Sequence, residues 1–406
     1  MINLNSISTL KKCLVPLRSR SLIKVVGVDA FKHLQGLTTN NLARLKDNQI
    51  SNTSSIFNGF LQSNGRLLFD SIISLDKEHY QKNHINIGSG SEQPGTIDSY
   101  IIDIDSQVLP EALDHLKKFK LRNKIDIIDI TDGYQLYSIL DKTYKTVRDD
   151  SLFSHLEKES CSIIMDPRHP IMGIRVLVPN SKNDASTKLL SNYQSVDEEI
   201  YHLFRMSQGI PEGKKDFPIG ATIPLEYNFE LLNGVDFHKG CYLGQELTSR
   251  THFTGLVRKR VFPLVMKVDN VESVSVMDEA ITDPSKPPKE TLLFPKRILN
   301  SLNQLKHPDV DSVLKVKRIH TEKEAIPLDS EDPAQPAAEK VVSRSNDKIL
   351  SGNHSLALGM LKIDKVDIYQ LDNTIIHDKD GRELTILPPC WLSKIFSLQP
   401  PTQQVS

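Results

Sequence analysis

The chain is expected to fold as an α+β protein. Antiparallel sheets with helices on one face occupy residues 22–255, and a small β-barrel occupies 256–398. Three observations predict this. Strand-like segments follow one another over residues 21–140 instead of alternating with helices, which suits antiparallel sheets better than a parallel βαβ array. Beyond Gly255 short strand segments recur without a helical period between them, the pattern of a small barrel. Glycine and proline mark the joints at Gly65, Pro110, Gly209 and Pro211.

Ser21–Val28 reads as the first strand. Asp29 can cap a helix with Phe31, Leu34 and Leu37 on one face. Ile56–Leu61 and Arg66–Leu75 pair through the turn Ser63-Asn64-Gly65, where glycine supplies a positive φ. Residues 77–99 are polar and rich in Gly and Ser, and read as an extended loop. Tyr100–Asp105 is an expected strand, Pro110 opens a helix carrying Leu113, Leu116 and Phe119, and strands follow at 124–130 and 135–140. Glu198–Ser207 is a helix with Ile200, Leu203, Phe204 and Met206 on its apolar face. A second helix is expected from near Gly240 to near Arg250. Strands at 260–268, 355–362 and 383–387 build the barrel. Residues 269–350 split it, rich in proline (Pro284, Pro287, Pro288, Pro295, Pro327, Pro333 and Pro336 among them) and carrying the acidic run Asp329–Asp332. Their second half lacks the apolar residues to offset ordering entropy and is expected to be disordered. A short helix is expected within 290–320, and the tail 399–406 is expected to be disordered.

Charge is balanced, 50 basic residues against 51 acidic. No global positive field exists to gather phosphates, so a nucleic-acid partner is not expected. No uncharged apolar run approaches the ~20 residues that cross a bilayer. Four cysteines, Cys13, Cys161, Cys241 and Cys390, lie far apart. That spacing matches neither a secreted disulfide framework nor a zinc ribbon, and places the chain in a reducing compartment. The first acidic residue is Asp29, after Lys11, Lys12, Arg18, Arg20 and Lys24. Basic, serine-bearing and acid-free, residues 1–21 read as a mitochondrial presequence, which would remove Cys13. A plain basic tail is the alternative.

The densest group of usable side chains is Lys239-Gly240-Cys241-Tyr242-Leu243-Gly244-Gln245-Glu246. A lysine two residues upstream and an expected helix start would both favour the Cys241 thiolate, the form that attacks electrophiles and binds metal. Gly240 and Gly244 permit close approach of a ligand or a second chain. Glu246 and Arg250 can pair on the helix surface. The alternative is a packed helix start in which the cysteine is merely small enough to fit. One cysteine cannot hold an iron–sulfur cluster alone. Arg66 and Asp70, four apart on a strand, are expected on one face, lining a cavity or forming a surface ion pair.

The segment at 239–246 resembles the signature of the folate-binding YgfZ/GcvT superfamily, in its YgfZ-related branch. Further stretches are similar to that family: 27–40 (Gly-Val-Asp-Ala-Phe…Thr-Thr-Asn), Asn64–Asp70, Lys120–Lys124, Gly209–Gly213, Ile223–Asn228 and Leu356–Gly359. Together with the basic N-terminus, the resemblance implies the branch that assembles iron–sulfur clusters in the mitochondrial matrix. It implies a ring of α+β modules around a folate-sized channel, with Arg66, Asp70 and Arg250 as channel residues and tetrahydrofolate as a ligand. It implies A-type scaffold proteins and [4Fe–4S] client enzymes as partners, and Cys241 as the ligand shared with a partner's cluster. Ser207 stands where the aminomethyltransferases carry a pterin-binding glutamate, and Phe69 replaces one of two adjacent acids. Both departures argue against aminomethyl transfer, the alternative activity, because a hydroxyl carries no charge and fewer acceptor sites.

Overall fold

The computed structural model describes residues 12–46, 55–76, 97–141, 159–267, 309–318, 347–366 and 374–392, with Leu10, Leu156, Phe294, Ile298, Ile368, Leu371, Lys394 and Ile395. Strand β1 (Lys12–Pro16) opens the fold, its Cys13, Leu14 and Val15 fully buried. This bears on the bound expected for the leader, residues 1–21. A cut after residue 21 would remove β1 and the start of β2 (Arg20–Gly27). Arg20, counted among the basic residues of that region, is buried against Asp103, 83 residues away. Residues 1–9 lie outside the described residues.

The first sheet has five strands in the order β3 (Ser55–Leu61), β4 (Leu67–Leu75), β5 (Asp98–Asp105), β2, β6 (Asp126–Asp129). All its pairings are antiparallel, as between Ile23 and Ile102. Period-2 alternation gives it two buried faces. Ile23, Val25, Phe60, Phe69, Ile73, Ile102 and Ile104 pack with Ala30 and Leu34 of helix α1 (Ala30–Gln35). A short helix α2 (Ala43–Lys46) follows, and Ala112 and Leu116 of α3 (Leu109–Lys118) complete this core. The other face turns Leu22, Phe57, Leu67, Ile72 and Ile101 into a larger core shared with the rest of the molecule. The expected loop at 77–99 falls mostly outside the described residues.

The second sheet runs β1, β7 (Tyr134–Asp141), β9 (Ile174–Pro179), β8 (Ser162–Met165). Helix α4 (Asn183–Asn192) covers it through Ala185 and Leu189. Helix α5 (Glu198–Ser207) follows, capped by the Asp197 carboxylate, which accepts from the Glu199 N–H at 2.9 Å. The chain then passes through the single turn α6 (Gly213–Asp216) and reaches α7 (Gln245–Thr254).

The third sheet is the expected barrel module. Its order is β11 (Lys315–Arg318), β14 (Thr374–His377), β15 (Glu383–Ile386), β10 (Lys259–Met266), β13 (Leu356–Lys362), β12 (Lys348–Asn353). The sheet curls until its edges meet at an antiparallel bridge between Val313 and Lys348. Here an expectation is corrected. Residues 269–350 are not wholly an interruption, because they supply β11 and the start of β12, and Phe294 and Ile298 are buried in the main core. Residues 319–346 and the tail lie outside the described residues. Among the described residues no helix is long and apolar enough to cross a membrane.

Burial sets an acid limit on this fold. It pushes His115, His169 and His202 down to about 4. Between the unfolded imidazole value near ~6.5 and ~4, the unfolded chain takes up protons that the folded chain refuses, so stability falls. Asp70, raised to about 6, works in the opposite direction but is one group against three. Thermal melts should therefore show the midpoint dropping steadily from pH 6.5 to 5. An unchanged midpoint there would contradict the buried placement of these rings.

Candidate functional site

Cys241 is exposed, whereas Cys13 and Cys161 are buried and Cys390 is partly covered; all four are free. Burial pushes the Cys13 and Cys390 thiols up to about 12 and the Cys161 thiol up to about 11. Cys241 stands on the irregular segment 234–244 between two buried neighbours, Lys239 and Tyr242. Gly240 beside it is exposed, and a Cβ built there would meet nothing within 4 Å.

The two features expected beside this thiol stand elsewhere in the structure. Helix α7 begins at Gln245 with Gly244 as its N-cap, so Cys241 precedes the first helical residue by four positions. The helix field falls off within a turn. Lys239 does not stand ready beside the thiol either. Its Nζ donates to the carbonyls of Gln35, Thr38 and Asn40 at 2.7, 2.6 and 3.0 Å. Burial pulls this ammonium down to about 7. Three acceptors call for three N–H donors, which the ammonium has and the neutral amine lacks.

Two sequence features do come together here. The 62–66 turn packs backbone to backbone against Gly244. A Cβ on Gly244, at φ 75°, would lie 2.3 Å from the Gln62 oxygen, and one on Gly65, at φ 81°, would lie 2.9 Å from the Gly244 oxygen. Glycine is required at both positions by conformation and by space. Gly244→Ala should cost about 2–4 kcal/mol, read as a lower denaturation midpoint in urea. A wild-type midpoint would contradict the contact.

The proposed channel residues have separate partners. Arg66 precedes β4 and donates Nη1 to the Ala221 carbonyl at 2.8 Å. The β3–β4 ladder shifts register between Phe60 and Leu61, which breaks the simple four-residue alternation. Asp70 is buried and accepts from the Gly213 N–H at 3.0 Å. Arg250 is on the exposed side of α7, Glu246 is exposed and Gln245 half-buried.

Sequence reasoning missed a buried ion network between the first two sheets. Glu212 Oε2 accepts from Arg168 Nη1 at 2.6 Å, Arg175 Nη2 at 3.0 Å and the Tyr201 hydroxyl at 2.6 Å. Arg168 also pairs with Asp166 at 2.6 Å, Arg20 with Asp103 at 2.7 Å, and Arg175 with Asp103. Arg205 pairs with Asp216 below them. Burial pushes the Glu212 carboxyl up, but Arg168, Arg20 and Arg175 hold it well below the usual carboxylate range. The visible signal was a charge inside an apolar strand: Asp103 in Ile-Ile-Asp-Ile and Arg175 in Gly-Ile-Arg-Val.

No family model matches the chain. The iron–sulfur cluster assembly factor IBA57 homologue of Dictyostelium discoideum, mitochondrial by name, is 64% identical over 414 residues, and the alignment spans both chains completely. The chain belongs to this family of mitochondrial iron–sulfur cluster assembly factors. The Mycosarcoma maydis homologue is 30% identical over 95% of this chain and 84% of its own length. The mouse factor is 34% identical over 62% of this chain and 65% of its own. Among solved structures, aminomethyltransferase T of the glycine cleavage system from Bartonella henselae superposes with a TM-score of 0.53, at 9% identity, over 96% of this chain and 88% of that one. That likeness bears out the aminomethyltransferase-like fold expected from the sequence.

The fold raises the question of a reduced folate, and the side chains present do not fit one. The Ser207 hydroxyl donates to the Phe204 carbonyl at 2.7 Å and accepts from Gln208 Nε2 at 3.1 Å. The central carboxylates of Asp103, Asp166 and Glu212 are bonded to arginines, and Asp70 is bonded to backbone.

Proposed function

We propose that this assembly factor binds an A-type iron–sulfur scaffold protein in the mitochondrial matrix and supplies the Cys241 thiolate to a cluster held between the two chains. The cluster then passes to [4Fe–4S] clients such as aconitase-type enzymes and the radical-SAM synthases of biotin and lipoate. The protein acts by binding and delivery, without a catalytic residue of its own. The observation that carries this reading is the position of Cys241. It is an exposed thiol, and among the described residues no group of three or more His, Cys, Asp or Glu could hold a metal. A cluster at Cys241 needs its other ligands from a partner.

The neighbouring surface supports protein docking. Phe253 and Leu256 are 66% and 84% exposed at the end of α7. The Phe237 ring stacks on His252 at 3.6 Å, tying the Cys241 segment to that helix. Arg250 and Arg258 are exposed nearby in the chain, so the fitting surface is apolar with an acidic rim. Under anaerobic conditions the protein should co-elute with a cluster-loaded A-type scaffold. Leu256→Asp should weaken that complex at least ~10-fold, a cost of about 1.4 kcal/mol, without moving the melting midpoint. Unchanged affinity would remove this face from the docking surface, and absence of any complex would contradict the proposal.

A further inference from the structure

We propose that Lys239 is a positioning residue for Cys241, a buried ammonium that holds the cysteine segment in its presenting conformation. This rests on the reading of Cys241 as the functional thiol. The segment 234–244 has no regular structure, and few of its own backbone groups anchor it. The Asp236 N–H donates to the Thr39 carbonyl at 3.1 Å, and the Leu243 N–H to the Gly36 carbonyl at 2.9 Å. Between these two points, the Lys239 ammonium provides the three bonds to the 35–40 turn.

The geometry of that turn resembles a cation cradle. Carbonyls of Gln35, Thr38 and Asn40 converge on one point, and Lys239 Nζ occupies it. The turn is also held from the first sheet and from the start of the segment. The Thr39 N–H donates to the Gly59 carbonyl at 3.1 Å, and Asn40 Nδ2 donates to the carbonyls of Phe57 at 2.8 Å and Asn233 at 2.7 Å. Thr39 Oγ1 donates to the Gly234 carbonyl at 2.6 Å. The cradle is therefore part of the first sheet's rim, and the cysteine segment is what Lys239 adds to it. The ammonium also lies 4.8 Å from the centre of the Tyr242 ring. Residue 239 and residue 242 are thus clamped together, and only Gly240 and Cys241 between them remain outside. A surface lysine needs no such burial; carbonyls left without donors inside a protein do. The clamp explains why lysine, not merely a positive charge, is wanted here. A planar guanidinium cannot direct three N–H groups to one converging set of carbonyls.

The test is Lys239→Met, which keeps the stem and removes the donors. Hydrogen exchange across residues 236–243 should accelerate at least ~10-fold, while exchange in β3 and β4 stays within about twofold. Alkylation of Cys241 should persist, since the thiol stays exposed, yet co-elution with the cluster-loaded scaffold should weaken at least ~10-fold. In Lys239→Ala, added ethylammonium should refill the cradle and slow exchange in 236–243 again. Unchanged exchange and unchanged complex affinity in Lys239→Met would overturn the proposal. If Cys241→Ser itself left the complex and its cluster intact, the cluster reading would fail, while loop exchange would still report on Lys239. If Lys239→Met did not fold, acylation footprinting of the wild type would decide. Lys239 should be among the slowest lysines to react, and reaction at the rate of exposed Lys117 would overturn the assignment.

Discussion

Cells in which Cys241→Ala replaces the natural chain should lose maturation of [4Fe–4S] enzymes. Aconitase activity and protein lipoylation should fall at least ~10-fold, while the purified variant melts within a degree or two of the wild type. The size of the effect follows from ligand chemistry. A thiolate that completes a shared cluster has no substitute nearby, because the other three cysteines are covered to differing degrees, their thiols pushed up to between about 11 and 12. The small stability change follows from exposure: truncating an exposed side chain creates no cavity and strands no polar group. Normal aconitase activity in this strain would remove the thiol from the function.

The second large effect concerns stability rather than delivery. Glu212→Gln should cost about 3–5 kcal/mol and lower the melting midpoint by roughly 5 °C. Glu212 accepts from Arg168, Arg175 and Tyr201 within 3.0 Å, and Arg20 Nη1 is 3.7 Å from its other oxygen. Glutamine keeps the shape but removes the charge, leaving buried guanidinium groups with too few counter-charges. Glu212 ionises below its unfolded value, so its stabilisation is present at neutral pH and lost as pH falls below ~4.3. The variant should therefore show a flatter decline at the acid end, below pH 4.5. A midpoint like that of the wild type would mean that the network contributes little.

The strands were legible where alternation and turn chemistry agreed. The 56–61 and 66–75 hairpin, the strand at 100–105 and the helix at 198–207 stand close to where their patterns put them. The module at 159–192 went unread, since Arg168 and Arg175 break its apolar runs and their partners come from distant segments. The inner bound of the basic N-terminal region was not legible because charge composition does not show pairing, and Arg20 finds its carboxylate on β5. At the site, the cysteine motif was visible as a pattern, but the role of Lys239 was not. Two residues apart in sequence does not mean adjacent in space: the Lys239 side chain reaches a turn some 200 positions earlier. The need for Gly65 and Gly244 was half legible: each marked a turn, but only the fold shows that the two turns rest on each other.

The most direct test of the shared-cluster claim is spectroscopic. Wild-type protein and an A-type scaffold, reconstituted together without oxygen, should give an absorption and circular dichroism spectrum that neither chain gives alone. With Cys241→Ser the charge-transfer bands should shift or vanish, because a thiolate ligand has been replaced by a hydroxyl. Identical spectra and undiminished co-elution for Cys241→Ser would contradict the claim that this thiol binds the cluster.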